Sequence, residues 1–264
     1  MVARPAVVAL TLAVLPLAAC GSKSSSGTTT TSAPAAVEDA ARKTIDAGTE
    51  HLAVKAAANS GGQVVTLTGT GDFDSKQSRG KLHASVGLGG VQTAIDEVLD
   101  GTTAYVSSTL LNAFLPAGKS WLKIDLSTAG KALGIDTNVL RLQDPGYALA
   151  QLKALQRVHE VGTATVGGVQ TTRYRGTIDA AKLPQASADA LSKSGTKLGP
   201  VDVWVGDDGY VHRERVTTIT SAGKNAKTVV STTLSKFGEP VLVSVPADSE
   251  TVDASTVTIP GLGG

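Results

Sequence analysis

Apolar and small side chains recur at helical spacing at Val37, Ala40, Ala41, Thr44, Ile45 and Gly48, with Glu38, Asp39, Arg42 and Lys43 on the other side. The spacing predicts a short amphipathic helix that opens a domain. From His51 the period changes to two. Val65, Leu67, Gly69, Gly71 and Phe73 alternate with Thr66, Thr68, Thr70 and Asp72. Beyond an Asp74-Ser75-Lys76 turn, Leu82, Ala84, Val86 and Leu88 alternate with Lys81, His83 and Ser85. This predicts neighbouring antiparallel strands with one apolar face. Further strands are expected at 91–99, 103–107 and 121–126, and a second series at 157–166, 169–179, 201–205, 210–220 and 227–236. Gly167-Gly168 and Asp207-Asp208-Gly209 supply hairpin turns. Helical pieces interrupt the strands at 109–115, stopped by Pro116, at 145–155, opened by Pro145, and at 184–193. The layout is α+β, a mostly antiparallel sheet with helices on one face.

The first segment stands apart from that pattern. Arg4 precedes an apolar run at 6–19 that only Thr11 and Pro16 interrupt, too short to span a bilayer comfortably and closed by small residues. Residues 1–19 therefore read as an export signal. Leu17-Ala18-Ala19-Cys20-Gly21 resembles the lipobox of bacterial lipoproteins. That resemblance implies diacylglycerol on the Cys20 thiol and cleavage that leaves Cys20 as the new N-terminus, its acyl chains (palmitate among them) set in membrane lipid. The alternative is an ordinary secretory peptide with a chance Cys. Residues 20–36 are then the acylated Cys and a Ser/Thr/Gly linker, 37–246 the folded domain and 247–264 a C-terminal tail. A tether of this composition reaches roughly 20–25 Å.

Composition removes several function classes. One Cys excludes an internal disulfide framework and a CxxC redox pair. With 24 basic and 23 acidic side chains and aromatics at 3%, nothing favours nucleic acid. Cleavage before Cys20 would remove Arg4 and leave a formally neutral chain. His51, His83, His159 and His212 fall on expected strands without metal-ligand spacing, so no metal or other cofactor is expected. Asp207 and Asp208 belong to a turn rather than to acid–base work. Gly87-Leu88-Gly89-Gly90 falls short of a dinucleotide fingerprint. Ser78-Arg79-Gly80-Lys81 and Ser194-Gly195-Thr196-Lys197 match SxxK, but neither sits on a helix that would bring amine to hydroxyl. The chain does not read as an enzyme.

Three stretches resemble the LppX/LprA/LprF/LprG family of envelope lipoproteins: residues 200–213 (PVDVWVGDDGYVHR), residues 234–246 beginning LSKFGEPV, and residues 168–177 (GVQTTRYRGT). The resemblance implies a fold similar to LolA and LolB, an antiparallel half-barrel whose concave face is covered by helices. It also implies an apolar space there for the acyl chains of a lipid or glycolipid. Candidate cavity residues are Val65, Leu67, Leu82, Ala84, Val86, Leu122, Ile124 and Val203; the alternative is that this face is simply packed core. Val203 and Trp204 point to opposite faces, so only one of them faces the cavity. Leu110, Leu111, Phe114 and Leu115 cluster on the short 109–115 segment, as a flap over the concave face or as a core plug. An envelope transporter is a candidate partner. A different reading keeps the fold and fills its core, with a protein partner in place of the lipid.

Overall fold

The computed structural model describes residues 32–60, 63–126, 145–183, 185–193, 195–220 and 226–258. Helix α1 (Ala33–Ala47) carries Pro34 in its first turn, where the missing N–H costs nothing, and stops at Gly48, whose φ of 80° lets its N–H reach Ile45 O. It starts inside the stretch expected as linker. Val37, Ala40, Ala41 and Thr44 form its buried stripe. Thr44 Oγ1 donates to Ala40 O at 2.8 Å and accepts from Val211 N at 2.9 Å, which ties the helix to a strand 167 residues away.

All the described strands join one sheet. β1 (Thr49–Ser60), β2 (Gln63–Asp74), β3 (Arg79–Leu88), β4 (Val91–Asp100), β5 (Thr103–Ser108) and β6 (Trp121–Asp125) form an antiparallel meander. A second meander runs β7 (Leu155–Val166), β8 (Val169–Ile178), β9 (Thr196–Gly206), β10 (Val211–Thr220) and β11 (Ala226–Ser235), and returns to pair β11 with β1. β12 (Thr251–Asp253) adds parallel to β6. The order is β12-β6-β5-β4-β3-β2-β1-β11-β10-β9-β8-β7, an open, mostly antiparallel sheet.

Several boundaries differ from the sequence expectation, each for a local reason. The helix at 109–115 shrinks to α2 (Thr109–Asn112), capped by Ser108 Oγ, which accepts from Leu111 N at 3.1 Å. The 145–155 helix divides into α3 (Pro145–Ala150) and a 3₁₀ turn (Gln151–Ala154), so β7 begins at Leu155. The last piece is α4 (Gln185–Lys193). β9 starts at Thr196 because a register shift opposite Val216–Thr218 absorbs Pro200, which cannot donate to a ladder. Part of the stretch expected as a tail supplies β12, held by Ser120 N donating to Glu250 O and by Lys119 Nζ donating to Asp248 O and Ser249 O.

α1 lies against one face of the sheet, called inner here. Val37, Ala40 and Ala41 meet Leu52, Phe73, Val201, Val203, Val211 and Leu234, with Leu149 of α3 and Leu152 closing the cluster. Phe73 fits there because Gly80 stands opposite it; a Cβ at Gly80 would fall 2.5 Å from the ring.

Candidate ligand-binding face

Ladder register decides which side chains share a face. Val65 pairs with Leu88, Leu67 with Val86, Gly69 with Ala84 and Gly71 with Leu82. Ala84 pairs with Ile95 and Leu82 with Glu97. Val106 pairs with Glu97 and with Leu122, and Ala104 with Leu99 and with Ile124. Across β1, Gly69 pairs with Val54, Val54 with Thr232, Thr232 with Glu214 and Glu214 with Val203. All eight strand candidates therefore stand on the inner face, and Trp204 on the outer one.

The eight do not share one environment. Val203 is buried in the cluster under α1 and belongs to packed core. Ala84 and Leu122 are buried, whereas Val65, Leu67, Leu82, Val86 and Ile124 remain partly exposed. Helix and 3₁₀ turn thus fill the inner face at β9, β10, β11 and β1. Over β2–β6 it continues as a largely apolar surface with less cover from the described residues. Gly69 and Gly71 carry no side chain there, and β3 comes close in their place: a Cβ at Gly71 would clash with Lys81 O, and one at Gly69 would fall 3.0 Å from Ala84 Cβ. α2 leaves β5 where Ser108 pairs with the inner residue Ile95. Leu111 is buried, Leu115 half-buried, and Leu110 and Phe114 exposed.

Phe114 is 49% exposed, so the domain does not depend on it as a core plug. Phe114→Ser is expected to cost less than about 1 kcal/mol, against the 3–5 kcal/mol typical of a lost buried aromatic. A melt of that variant checks this.

The inner face is acidic as well as apolar. Glu50, Glu97 and Glu214 stand on it, and no Lys, Arg or His occupies a register-paired inner position among the described strands. Burial pushes the Glu214 carboxyl up to about 7. Sequence reasoning missed this residue. The signal was present, since Glu214 alternates with Arg213 and Arg215 and shares a face with Val216.

The basic groups collect outside. Arg173 and Arg213 flank Trp204, and Arg175 and Arg215 flank Asp202, on three adjacent strands. Asp202 Oδ1 accepts from Arg173 Nη2 and Arg175 Nε, both at 2.8 Å, and Oδ2 from Arg215 Nη2 at 2.7 Å. Three guanidiniums lie 5.1–5.6 Å from the Trp204 ring centroid, within cation–π range. Further along this face a hollow of about 350 Å³ is lined by His51, Asp72, Lys81, His83, Asp96 and Trp121, among others. His51 Nδ1 lies 2.7 Å from Asp72 Oδ1, and His83 Nδ1 lies 2.6 Å from Asp96 Oδ1. Burial alone would raise the Asp72 carboxyl, but hydrogen bonds from His51 and Lys81 outweigh it and leave it below the usual range. Among the described residues no group of three or more His, Cys, Asp or Glu side chains could hold a metal ion. The Asp207-Asp208-Gly209 segment is a hairpin turn, with Asp208 facing His212 and Gly209 at φ 78°. Cys20 and Ser194 lie outside the described residues.

The described domain is an open, mostly antiparallel sheet with a helix packed on one face. Residues 32–243 match the LppX_LprAFG lipoprotein family, and the chain belongs to it. Over 120 residues it is 29% identical to LppX of Mycobacterium tuberculosis, a proposed phthiocerol dimycocerosate transporter, covering 45% of this chain and 46% of that one. The chain spans about half the length of the curated relatives it matches. The crystal structure of LppX from Mycobacterium tuberculosis superposes with a TM-score of 0.48 at 19% identity, over 79% of this chain and 98% of that one. LprF from Mycobacterium bovis gives 0.49 at 18% identity, over 81% and 97%.

Proposed function

We propose that this protein is a membrane-anchored envelope lipoprotein that binds lipid or glycolipid acyl chains along its inner face and carries them without catalysing a reaction. The observation that carries this reading is the largely apolar face from Val65 and Leu88 to Leu122 and Ile124, interrupted by Glu97, where among the described residues α1 packs only against the other half of the sheet. Exposing acyl chain to water costs about 0.8 kcal/mol per CH₂, so a 16-carbon chain needs roughly 12 kcal/mol of shielding. An aliphatic surface supplies that by burial alone. Membership of a lipoprotein family and the proposed transport role of LppX support the same reading.

Titration with a fluorescent fatty-acyl probe tests it. Wild type is expected to bind saturably. Val86→Trp, which places a ring on the half-buried apolar face, is expected to weaken binding about tenfold or more while the melting temperature holds. Probe binding that is absent, or unchanged in Val86→Trp, would refute the proposed site.

Cys20 is the proposed anchor. Cys20→Ala is expected to move the exported protein from the membrane fraction to the soluble fraction, as fractionation and blotting will report. Retention on the membrane would contradict acylation as the sole anchor.

A further inference from the structure

The two ends of the sheet differ in chemistry. At one end the connections β2–β3, β4–β5 and β9–β10 carry Asp74, Lys76, Arg79, Asp100, Asp207 and Asp208. At the other end lie the connections β1–β2, β3–β4 and β5–β6. Over 60–66, 86–94 and 106–118 these contain no Asp, Glu, Lys or Arg at all. Charge at this end appears at Lys227, which pairs with Asn59 and Ile219 beside the β10–β11 connection, at Lys119 and the 248–250 turn on one lateral edge, and in the β8–β9 connection on the other.

The end with the three uncharged connections also holds most of the large apolar side chains that the described fold leaves in water. Val64, Leu88, Val91, Leu110, Phe114 and Ile219 all stand there, with Val91 68% and Leu110 65% exposed; only Val161, Leu242 and Val245 are exposed elsewhere. Gly89 and Gly90, both at positive φ, set the β3–β4 tip between Leu88 and Val91. A contiguous apolar patch marks an interaction surface, since water penalises it unless a partner covers it.

We infer that this end inserts its β3–β4 tip and α2 shallowly into the surface of a lipid bilayer. Two arguments select lipid as the occupant. A lipobox and a Ser/Thr/Gly tether would hold the domain within a few tens of ångströms of a bilayer, so weak insertion is enhanced by local concentration. The rim is also continuous with the inner face, because Val65, Leu88 and Val91 are inner positions by register. An acyl chain leaving the bilayer at the rim meets apolar side chains without a charged barrier. This route rests on the carrier reading; the docking itself does not.

The non-acylated unit 31–264, whose core cluster begins at Val37, is the material for the test. It is sedimented with vesicles of phosphatidylcholine containing a third phosphatidylglycerol. Wild type is expected to pellet with the vesicles. Leu110→Glu/Phe114→Glu and Val91→Glu alter exposed positions, so their melts should match wild type while vesicle partition falls about tenfold or more. Ser78→Glu, at the charged end, should leave partition unchanged. Wild type that stays in the supernatant, or rim variants that partition like it, would overturn the docking. A vesicle-bound wild type that fails to bind acyl probe would overturn the carrier reading and leave the docking standing.

Discussion

Asp202→Ala is expected to destabilise the domain by about 3 kcal/mol, measured by urea unfolding at neutral pH. The carboxylate is 3% exposed and is the common acceptor for Arg173, Arg175 and Arg215. Removing it leaves guanidiniums on β8 and β10 facing one another across β9 without a counter-charge. The figure sits at the lower end for a broken buried pair because the arginines are partly exposed and regain water. Burial works to raise the Asp202 carboxyl, and the hydrogen bonds from Arg175, Arg215 and Arg173 more than offset it, so it lies below its ordinary value. The sign of its pH dependence follows. The stabilisation is complete above the unfolded-state value of 3.8 and is lost as pH falls through the lower folded value. Asp202→Ala should flatten that acid limb as well as lower the plateau.

Glu214→Gln is expected to act in the opposite direction. Its carboxyl rises from 4.5 to about 7 on folding because burial penalises the charged form. Between those values the native state holds a proton that the unfolded chain has released, so the contribution of Glu214 to stability is most favourable below about 4.5 and declines as pH rises to about 7. A shift of this size corresponds to about 3 kcal/mol at alkaline pH. Glutamine cannot ionise, so the variant should lose the decline and be the more stable protein at pH 8, by up to about 3 kcal/mol less the cost of burying an amide. Melts of both proteins at pH 5 and pH 8 check this. Parallel pH dependence in the two would show that Glu214 does not set it.

Much of the inner face was legible in the sequence because strand alternation is a local signal. Val65, Leu67, Leu82, Ala84 and Val86 belong to two strands joined by a short turn, and their shared face follows from period two and that turn. Leu122 and Ile124 reach the same face only through the register of β4, β5 and β6. What the sequence did not reveal is non-local. The pairing of β11 with β1 joins the two meanders across some 180 residues, and that pairing together with the packing of α1 on β9 and β10 places Val203 in the core. β12 is three residues long and carries no period. The Arg173–Trp204–Arg213 and Arg175–Asp202–Arg215 rows are spread over three strands, so each looks locally like an ordinary solvated charge. Phe114 was expected in a helix but follows one that ends at Asn112, which leaves its ring half in water.

The central claim is that the inner face over β2–β6 holds an acyl chain. Native mass spectrometry of the protein purified from its own envelope, paired with the denatured mass, tests it most directly. Covalent acyl groups at Cys20 survive denaturation, whereas a carried lipid does not. The account predicts a native mass that exceeds the denatured mass by one acyl lipid, extractable with organic solvent, and a loss of that excess in Val86→Trp. Native and denatured masses that agree for the wild-type protein would contradict it.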